Sequence, residues 1–171
     1  MPTDDPRGDR IDSMLAFIDE IQPGRDLTTK AVAWRLRRAA HHLDTEIRRR
    51  LAAQGVELWE IEILCALLRR DGTLTMGELL DVAQLTSGAI TNRIARLEHE
   101  GYVRRDVNPG DRRQVVVTLT PKGNDRAWAV IEANNNAEQE IFAGIDPGLQ
   151  QRLSVDLREL LLATEGPDPA G

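Results

Sequence analysis

Residues 75–123 decide the fold and read TMGELLDVAQLTSGAITNRIARLEHEGYVRRDVNPGDRRQVVVTLTPKG. Their order predicts a short helix, a turn, a second helix, a β-hairpin and the start of another helix. Thr75 and Glu78 have the spacing of a capping box, which predicts that a helix begins there. Asn108-Pro109-Gly110 is typical of a hairpin loop. Thr120-Pro121 predicts the last helix start, because proline is favoured at the first helical position.

The second helix, predicted over residues 86–100, has two contrasting faces. At about 100° per residue, Ile90, Ile94 and Leu97 fall on one side and are predicted to pack inward. The other side carries small residues, hydroxyls, an amide, arginine and histidine: Gly88, Thr91, Asn92, Ala95, Arg96 and His99. Such a face suits close approach to base edges in the major groove of DNA. Its place after a capped short helix and a turn predicts a helix-turn-helix.

Basic residues are concentrated in two segments of an otherwise acidic chain. The whole chain has 22 Lys/Arg and 28 Asp/Glu, a net charge of −6. Residues 86–122 contain seven Lys/Arg and four Asp/Glu, and residues 30–50 contain seven and two. For a nucleic-acid partner the distribution of charge matters more than its sum. We expect residues 86–122 to face DNA, whereas the run in residues 30–50 could contact DNA, a partner subunit or solvent.

The predicted fold is mainly α with a small β-hairpin wing, a winged helix-turn-helix lobe plus a helical dimerisation lobe. The apolar stripe predicted on the long helix over residues 27–53 consists of Val32, Leu36, Ala40, Leu43, Ile47 and Leu51. The last two helices carry more apolar surface than a peripheral helix pair needs, which favours a subunit interface over packing within one monomer. The predicted segments are a disordered N-terminus (1–10), dimerisation helices (11–56), a DNA-binding lobe (57–120), C-terminal dimerisation helices (121–164) and a disordered tail (165–171).

Several functional classes are disfavoured by composition. No run of about 18 apolar residues predicts a membrane span, and residues 1–10 lack the apolar core of a secretion signal. The single cysteine, Cys65, excludes an intrachain disulfide and fits a reducing cytoplasm. With three histidines, one cysteine, no glycine-rich phosphate loop and no metal-spaced cluster, we expect no enzyme, no metal and no cofactor.

Taken in order, these features resemble the MarR family of bacterial transcription regulators over residues 27–163. The matching segments are LTSGAITNRI (85–94), LEHEGYV (97–103), DRR (111–113) and VTLTPKG (117–123). The resemblance implies a homodimer of winged helix-turn-helix lobes joined by N- and C-terminal helices. It also implies a pseudo-palindromic operator of double-stranded DNA, bound usually by a repressor that a small ligand or oxidant releases. The alternative class is a helical protein-interaction module without DNA binding.

Five residues of the second helix are predicted to bind DNA. Ser87, Thr91, Asn92 and Arg96 are expected in the major groove. The amide of Asn92 is suited to adenine and the guanidinium of Arg96 to guanine. Arg93 lies to the side of this face and is expected to hold a phosphate or contact the protein interior.

Three residues of the hairpin loop complete the predicted DNA-binding set. The resemblance implies that Asp111 braces the loop and that Arg113 enters the minor groove, where a narrow A·T-rich groove attracts arginine. Arg112 is expected on a phosphate. The alternatives are a plain turn aspartate at Asp111 and a solvated side chain at Arg113.

The effector is predicted to be a small anionic or aromatic molecule of unknown identity. An extra helix at residues 11–22 and Arg93 resemble the urate-responsive subgroup, but Trp59-Glu60 stands where Trp-Asp is expected and the extra helix has no tryptophan. The candidate ligand-binding residues are Trp34, Arg38, His41, Trp59 and Glu60. The first three could instead pack across a subunit interface. Cys65 is predicted to be a buried core residue rather than an oxidant sensor.

Overall fold

The computed structural model describes residues 8–83, 87–108 and 110–166, which contain seven helices and a three-stranded sheet. The elements are α1 (Arg10–Ile21), α2 (Thr28–Ala53), α3 (Leu58–Arg69), β1 (Thr73–Thr75), α4 (Met76–Ala83), α5 (Ser87–His99), β2 (Val103–Val107), β3 (Val115–Leu119), α6 (Pro121–Phe142) and α7 (Pro147–Glu165). This confirms the predicted fold class. The predicted turn at residues 84–86 and Pro109 of the hairpin loop lie outside the described residues.

The wing is larger than the predicted hairpin. β3 pairs with β2 from Val103↔Leu119 to Val107↔Val115, and its other edge pairs with β1 from Thr73↔Thr118 to Thr75↔Val116. Sequence patterning does not predict β1, because three residues directly before a helix are too few for a recognisable alternation. β1 ties the start of α4 to the wing, so that the helix-turn-helix and the hairpin form one lobe.

In the described part of the chain, one apolar core is formed by α2, α3, α4, α5, α6 and the sheet. Its largest fully buried side chains include Leu51, Ile63, Leu64, Leu67, Leu79, Ile90, Ile94, Leu97, Val117 and Val130. The three inward residues predicted on α5 are therefore confirmed. Each fully buried Leu, Ile or Val stabilises the fold by roughly 1.5–3 kcal/mol. Because α5 is anchored on this side, its opposite face is exposed to solvent.

The predicted stripe of α2 is buried at only one end. Ile47 and Leu51 are buried and Leu43 partly so, but Val32 is 50% exposed. The N-terminal half of α2 therefore packs less closely within the monomer than the periodicity suggests. The neighbouring α1 buries Ile11. Its cap, Asp9, pairs with Arg35 of α2, so the ordered chain extends into the segment predicted to be disordered.

No side chain of α7 is buried. Every residue from 151 to 165 is exposed, and these residues include Leu153, Val155, Leu157, Leu160, Leu161 and Leu162. The helix itself is well started, because the Asp146 carboxylate accepts a hydrogen bond from Leu149 N at 2.8 Å and Pro147 stands at the first turn. Exposed apolar side chains in this number are typical of surfaces that contact another molecule. Within the described ranges, no helix has the length and apolarity that crossing a bilayer requires.

Candidate nucleic-acid interface

The two ends of the helix-turn-helix are fixed by local hydrogen bonds. Before α4, Thr75 N donates to Glu78 Oε2 at 2.8 Å and Glu78 N donates to Thr75 Oγ1 at 3.2 Å, which confirms the predicted capping box. After α5, Tyr102 N donates to Leu97 O at 2.8 Å while Gly101 has a φ of 76°. This is the left-handed helix end that glycine permits. The start of α4 and the end of α5 are therefore well defined.

The exposed face of α5 has the composition expected for base contact. The side chains of Thr91 and Asn92 are exposed, and so are Ala95 and His99. Gly88, also exposed, has open space where a Cβ would stand. Small residues beside an amide and a hydroxyl leave room for base edges to approach the helix. The side chain of Ser87 lies outside the described part of the chain.

The two arginines of α5 lie together over Trp59 at the start of α3. Their guanidinium carbons are 5.5 Å (Arg93) and 5.4 Å (Arg96) from the centre of the indole ring, within cation–π range. Arg96 pairs with Glu57 and, at 3.2 Å, with Glu100. Arg93 Nη1 lies 3.7 Å from an oxygen of Glu62. Arg96 has two carboxylate partners, so that binding guanine would require the exchange of only one of them; the sequence pattern does not reveal either partner.

Glu57 has the central place in this cluster. The indole N–H of Trp59 donates to Glu57 Oε2 at 2.5 Å, and the other oxygen accepts from Arg96. These two hydrogen bonds lower the pKa of the Glu57 carboxyl group below its ordinary value. The hydrogen bond from Trp59 makes the larger contribution and that from Arg96 the smaller one. Glu57 therefore remains charged in the folded protein near neutral pH.

In the wing, Asp111 makes local hydrogen bonds within the loop, which fit both the predicted bracing role and a plain turn aspartate. Its Oδ1 accepts hydrogen bonds from Arg113 N at 3.1 Å and from Arg113 Nε at 3.3 Å. Across the loop, Asn108 N donates to Gln114 O at 2.9 Å. The Arg113 side chain is 92% exposed despite its contact with Asp111, and Arg112 is exposed too. Two cationic side chains therefore extend from a hydrogen-bonded loop.

A model of the MarR family matches residues 54–114, from the end of α2 to the loop between β2 and β3. Over these residues the chain is similar to the MarR family. The chain is 32% identical over 97 residues to the uncharacterized HTH-type transcriptional regulator YwhA of Bacillus subtilis. The aligned region covers 57% of this chain and 64% of that protein. It is 36% identical over 73 residues to the multiple antibiotic resistance protein MarR of Salmonella typhimurium, covering 43% and 50%. The chain thus spans about half to two thirds of the length of these relatives.

Solved MarR-family structures share the fold over nearly their whole length. Wild-type MarR of E. coli in its apo form superposes with a TM-score of 0.64 at 25% identity, covering 74% of this chain and 96% of that one. AbsC of Streptomyces coelicolor gives 0.67 at 22% identity, covering 82% and 97%. These relatives are transcriptional regulators rather than enzymes, as the sequence predicts for this chain.

The five candidate ligand residues do not meet in one place. Arg38 and His41 line an open groove of about 600 Å³ on α2, together with Asp9, Arg35, Ala39, His42 and Thr45. Trp34 is not among the residues that line the groove, and Lys30 Nζ lies 4.9 Å from its ring centre. Trp59 lies instead against α5. Asp9, His42 and Thr45 are additions that sequence reasoning missed, because helical spacing alone does not show which residues border a groove.

The prediction that Glu60 contacts a ligand needs correction. Glu60 is 2% exposed, and its Oε2 accepts hydrogen bonds from Arg126 Nε at 3.0 Å and Arg126 Nη2 at 2.7 Å. Its Oε1 accepts from Glu57 N at 3.2 Å. Both carboxylate oxygens already have partners inside the protein. The cause is an arginine 66 residues further along the chain, which local sequence cannot reveal.

Two smaller expectations are also refined. Cys65 is partly rather than fully buried, but burial raises the pKa of its thiol, which disfavours the reactive thiolate. In the basic run of α2, four arginines have carboxylate partners: Arg35 with Asp9, Arg48 with Asp44, Arg49 with Glu46 and Arg50 with Glu140. Much of that run is therefore an ion-paired helix face.

Proposed function

We propose that this chain is a cytoplasmic, homodimeric repressor that binds a pseudo-palindromic DNA operator and is released by a small molecule. The observation that carries the proposal is the combination of the exposed α5 face with the two exposed arginines of the wing. Arg105 joins these two parts, because its Nε donates to Glu98 Oε2 of α5 at 2.8 Å and its N donates to Glu98 Oε1 at 3.1 Å. A recognition helix and a wing held in fixed relation suit adjacent grooves of one duplex.

The exposed α7 supports the dimer. Its apolar residues have no covering element among the described residues of the monomer, and a two-fold partner would bury them on both subunits. A dimer also places two recognition helices about one helical turn of DNA apart, roughly 34 Å, so that the operator is an inverted repeat. The domain division follows: α3 to β3 bind DNA, whereas α1, α2, α6 and α7 associate.

Alanine at Asn92 and at Arg113 should weaken operator binding in different ways. Asn92→Ala removes a bidentate contact and should reduce discrimination at one base position per half-site by roughly 1–3 kcal/mol. Arg113→Ala removes a charge near the backbone and should weaken binding to all sequences, lowering the slope of log affinity against log salt by about 2 per dimer. The measurement is a fluorescence-anisotropy titration, at several salt concentrations, with the DNA that lies upstream of the gene for this protein.

The matched control for these variants is Arg37→Ala, which removes an exposed charge from α2. It should leave both the affinity and the salt slope unchanged. Equal operator affinity of all three variants and the parent would refute the site assignment. If the parent itself does not bind DNA at low salt, the alternative of a helical protein-interaction module is correct instead.

The groove on α2 supports an anionic effector. Arg38, His41 and His42 border it, and all three can donate hydrogen bonds to a carboxylate or phenolate. A structural neighbour, BpsR of Bordetella bronchiseptica, is described as regulated in DNA binding by 6-hydroxynicotinic acid. A panel of aromatic acids and phenols is therefore a rational first choice of candidates.

Replacing Arg38 should desensitise the repressor to its effector. Arg38→Ala is expected to raise the effector concentration that releases DNA by about tenfold, the value of one charge-assisted hydrogen bond of roughly 1.5 kcal/mol. DNA affinity without effector should stay within twofold of the parent. The effector concentration is measured by following the fluorescence anisotropy of the protein–DNA complex while effector is added, and the DNA affinity by a titration without effector. Arg37→Ala again provides the control. Unchanged release by every active compound would remove the groove from consideration.

A further inference from the structure

Glu60 is the one charged side chain that is buried among the described residues of the chain. It lies in the first turn of α3, and its partner Arg126 lies on α6, the helix that packs along α3. The guanidinium binds Glu60 Oε2 through two nitrogens, and its Nη2 also donates to Gly55 O at 3.0 Å. Arg126 therefore joins α6 both to α3 and to the loop that precedes it.

The same turn of α3 contacts α5 on its other side. Glu60 Oε1 accepts a hydrogen bond from Glu57 N, and the Glu57 carboxylate holds Arg96 of α5 and the indole of Trp59. The polar contacts thus run without a break from α6 through Glu60 and Glu57 to the recognition helix. A two-nitrogen contact between arginine and carboxylate is directional, so that it constrains orientation as well as distance.

We propose that Glu60 and Arg126 are positioning residues that fix the angle of the recognition helix relative to α6, and thereby set the half-site spacing that the dimer accepts. The inference rests on the proposed function as a dimeric DNA-binding protein. Neither residue has to contact DNA. α6 is predicted to belong to the dimerisation lobe, so that the direction of α5 relative to it determines how far apart the two copies of α5 lie.

A spacing assay separates this role from a contribution to stability alone. The probe is an inverted-repeat duplex that the parent protein selects from a random library. Two further duplexes have the same half-sites but a spacer that is one base pair shorter or one base pair longer. One base pair rotates a half-site by about 34–36° and moves it by about 3.4 Å, so that the parent should bind both altered duplexes at least tenfold more weakly. Glu60→Gln keeps an oxygen for Glu57 N but loses the charge.

We expect Glu60→Gln to reduce the tenfold spacing preference to below threefold, with less than a tenfold loss on the selected duplex. Arg126→Lys keeps the charge but loses the two-nitrogen contact, and should give an intermediate preference; it also provides the test if Glu60→Gln does not fold. Glu140→Gln is the control, because Glu140 pairs with Arg50 and joins α6 to α2 rather than to α3.

The opposite outcome is equally specific. If both variants bind all three duplexes more weakly by one common factor, the pair only stabilises the fold and the inference is wrong. If Glu140→Gln broadens the spacing preference as much as Glu60→Gln does, the effect is not specific to the first turn of α3 and the inference is also wrong. If the parent selects no duplex, the proposed function itself fails, which is distinguishable because the parent is measured first.

Discussion

Replacing Gly123 with alanine should destabilise the fold by about 3 kcal/mol or more, the upper range for overpacking a core position. Gly123 lies in the first turn of α6, where a Cβ would stand 1.8 Å from the carbonyl oxygen of Tyr102 and 2.7 Å from its carbonyl carbon. These are backbone atoms, so no side-chain rotation can relieve the clash. The turn cannot easily shift either, because Gly123 N donates to Thr120 Oγ1 and Thr120 N donates to Tyr102 O.

Urea denaturation followed by circular dichroism measures the loss in the free energy of unfolding for Gly123→Ala. Gly144→Ala is the control, because a Cβ at Gly144 would meet no atom within 4 Å and its backbone φ is not in the left-handed region. The control should change stability by less than about 0.5 kcal/mol, as exposed substitutions usually do. A loss below about 1 kcal/mol for Gly123→Ala would contradict the close approach of α6 to the wing.

Placing two glutamates on α7 should abolish both dimerisation and operator binding. Leu157 and Leu160 are 39% and 38% exposed in the monomer, so Leu157→Glu with Leu160→Glu costs the single subunit little. In a dimer interface the same carboxylates would be buried without partners, at a cost of several kcal/mol for each. Loss of the dimer leaves one half-site contact, and we expect operator affinity to fall at least a hundredfold, about 2.7 kcal/mol.

Sedimentation velocity measures the oligomeric state, and anisotropy measures DNA affinity on the same samples. Gln151→Glu with Arg158→Gln is the control, because it lowers the net charge by the same two units on exposed positions of α7 that face away from Leu157 and Leu160. This double variant should remain dimeric and lose far less affinity. A Leu157→Glu/Leu160→Glu protein that remains a dimer would show that α7 does not form the interface.

Local signals in the sequence were sufficient to predict where helices begin and which face of α5 packs inward. The capping box at Thr75 and Glu78 and the cap at Thr120 act within four residues, so that their spacing predicts their geometry. β1 could not be predicted, because three residues acquire a strand conformation only by pairing with β3. Arg96 was predicted on the exposed face of α5 and lies there. Its carboxylate and indole partners at the start of α3 depend instead on how the two helices pack.

The sequence itself determined the helix starts, the inward side of the recognition helix, the β2–β3 hairpin and the resemblance to the MarR family, because each depends on residue types at short and fixed separations. Tertiary structure alone decided that Glu60 is an internal partner of Arg126 rather than a ligand contact, that Arg38 and His41 share a groove with His42, and that Gly123 lies against Tyr102. Those relations join residues far apart in the chain, and no local spacing carries information about contacts that exist only after the helices have packed.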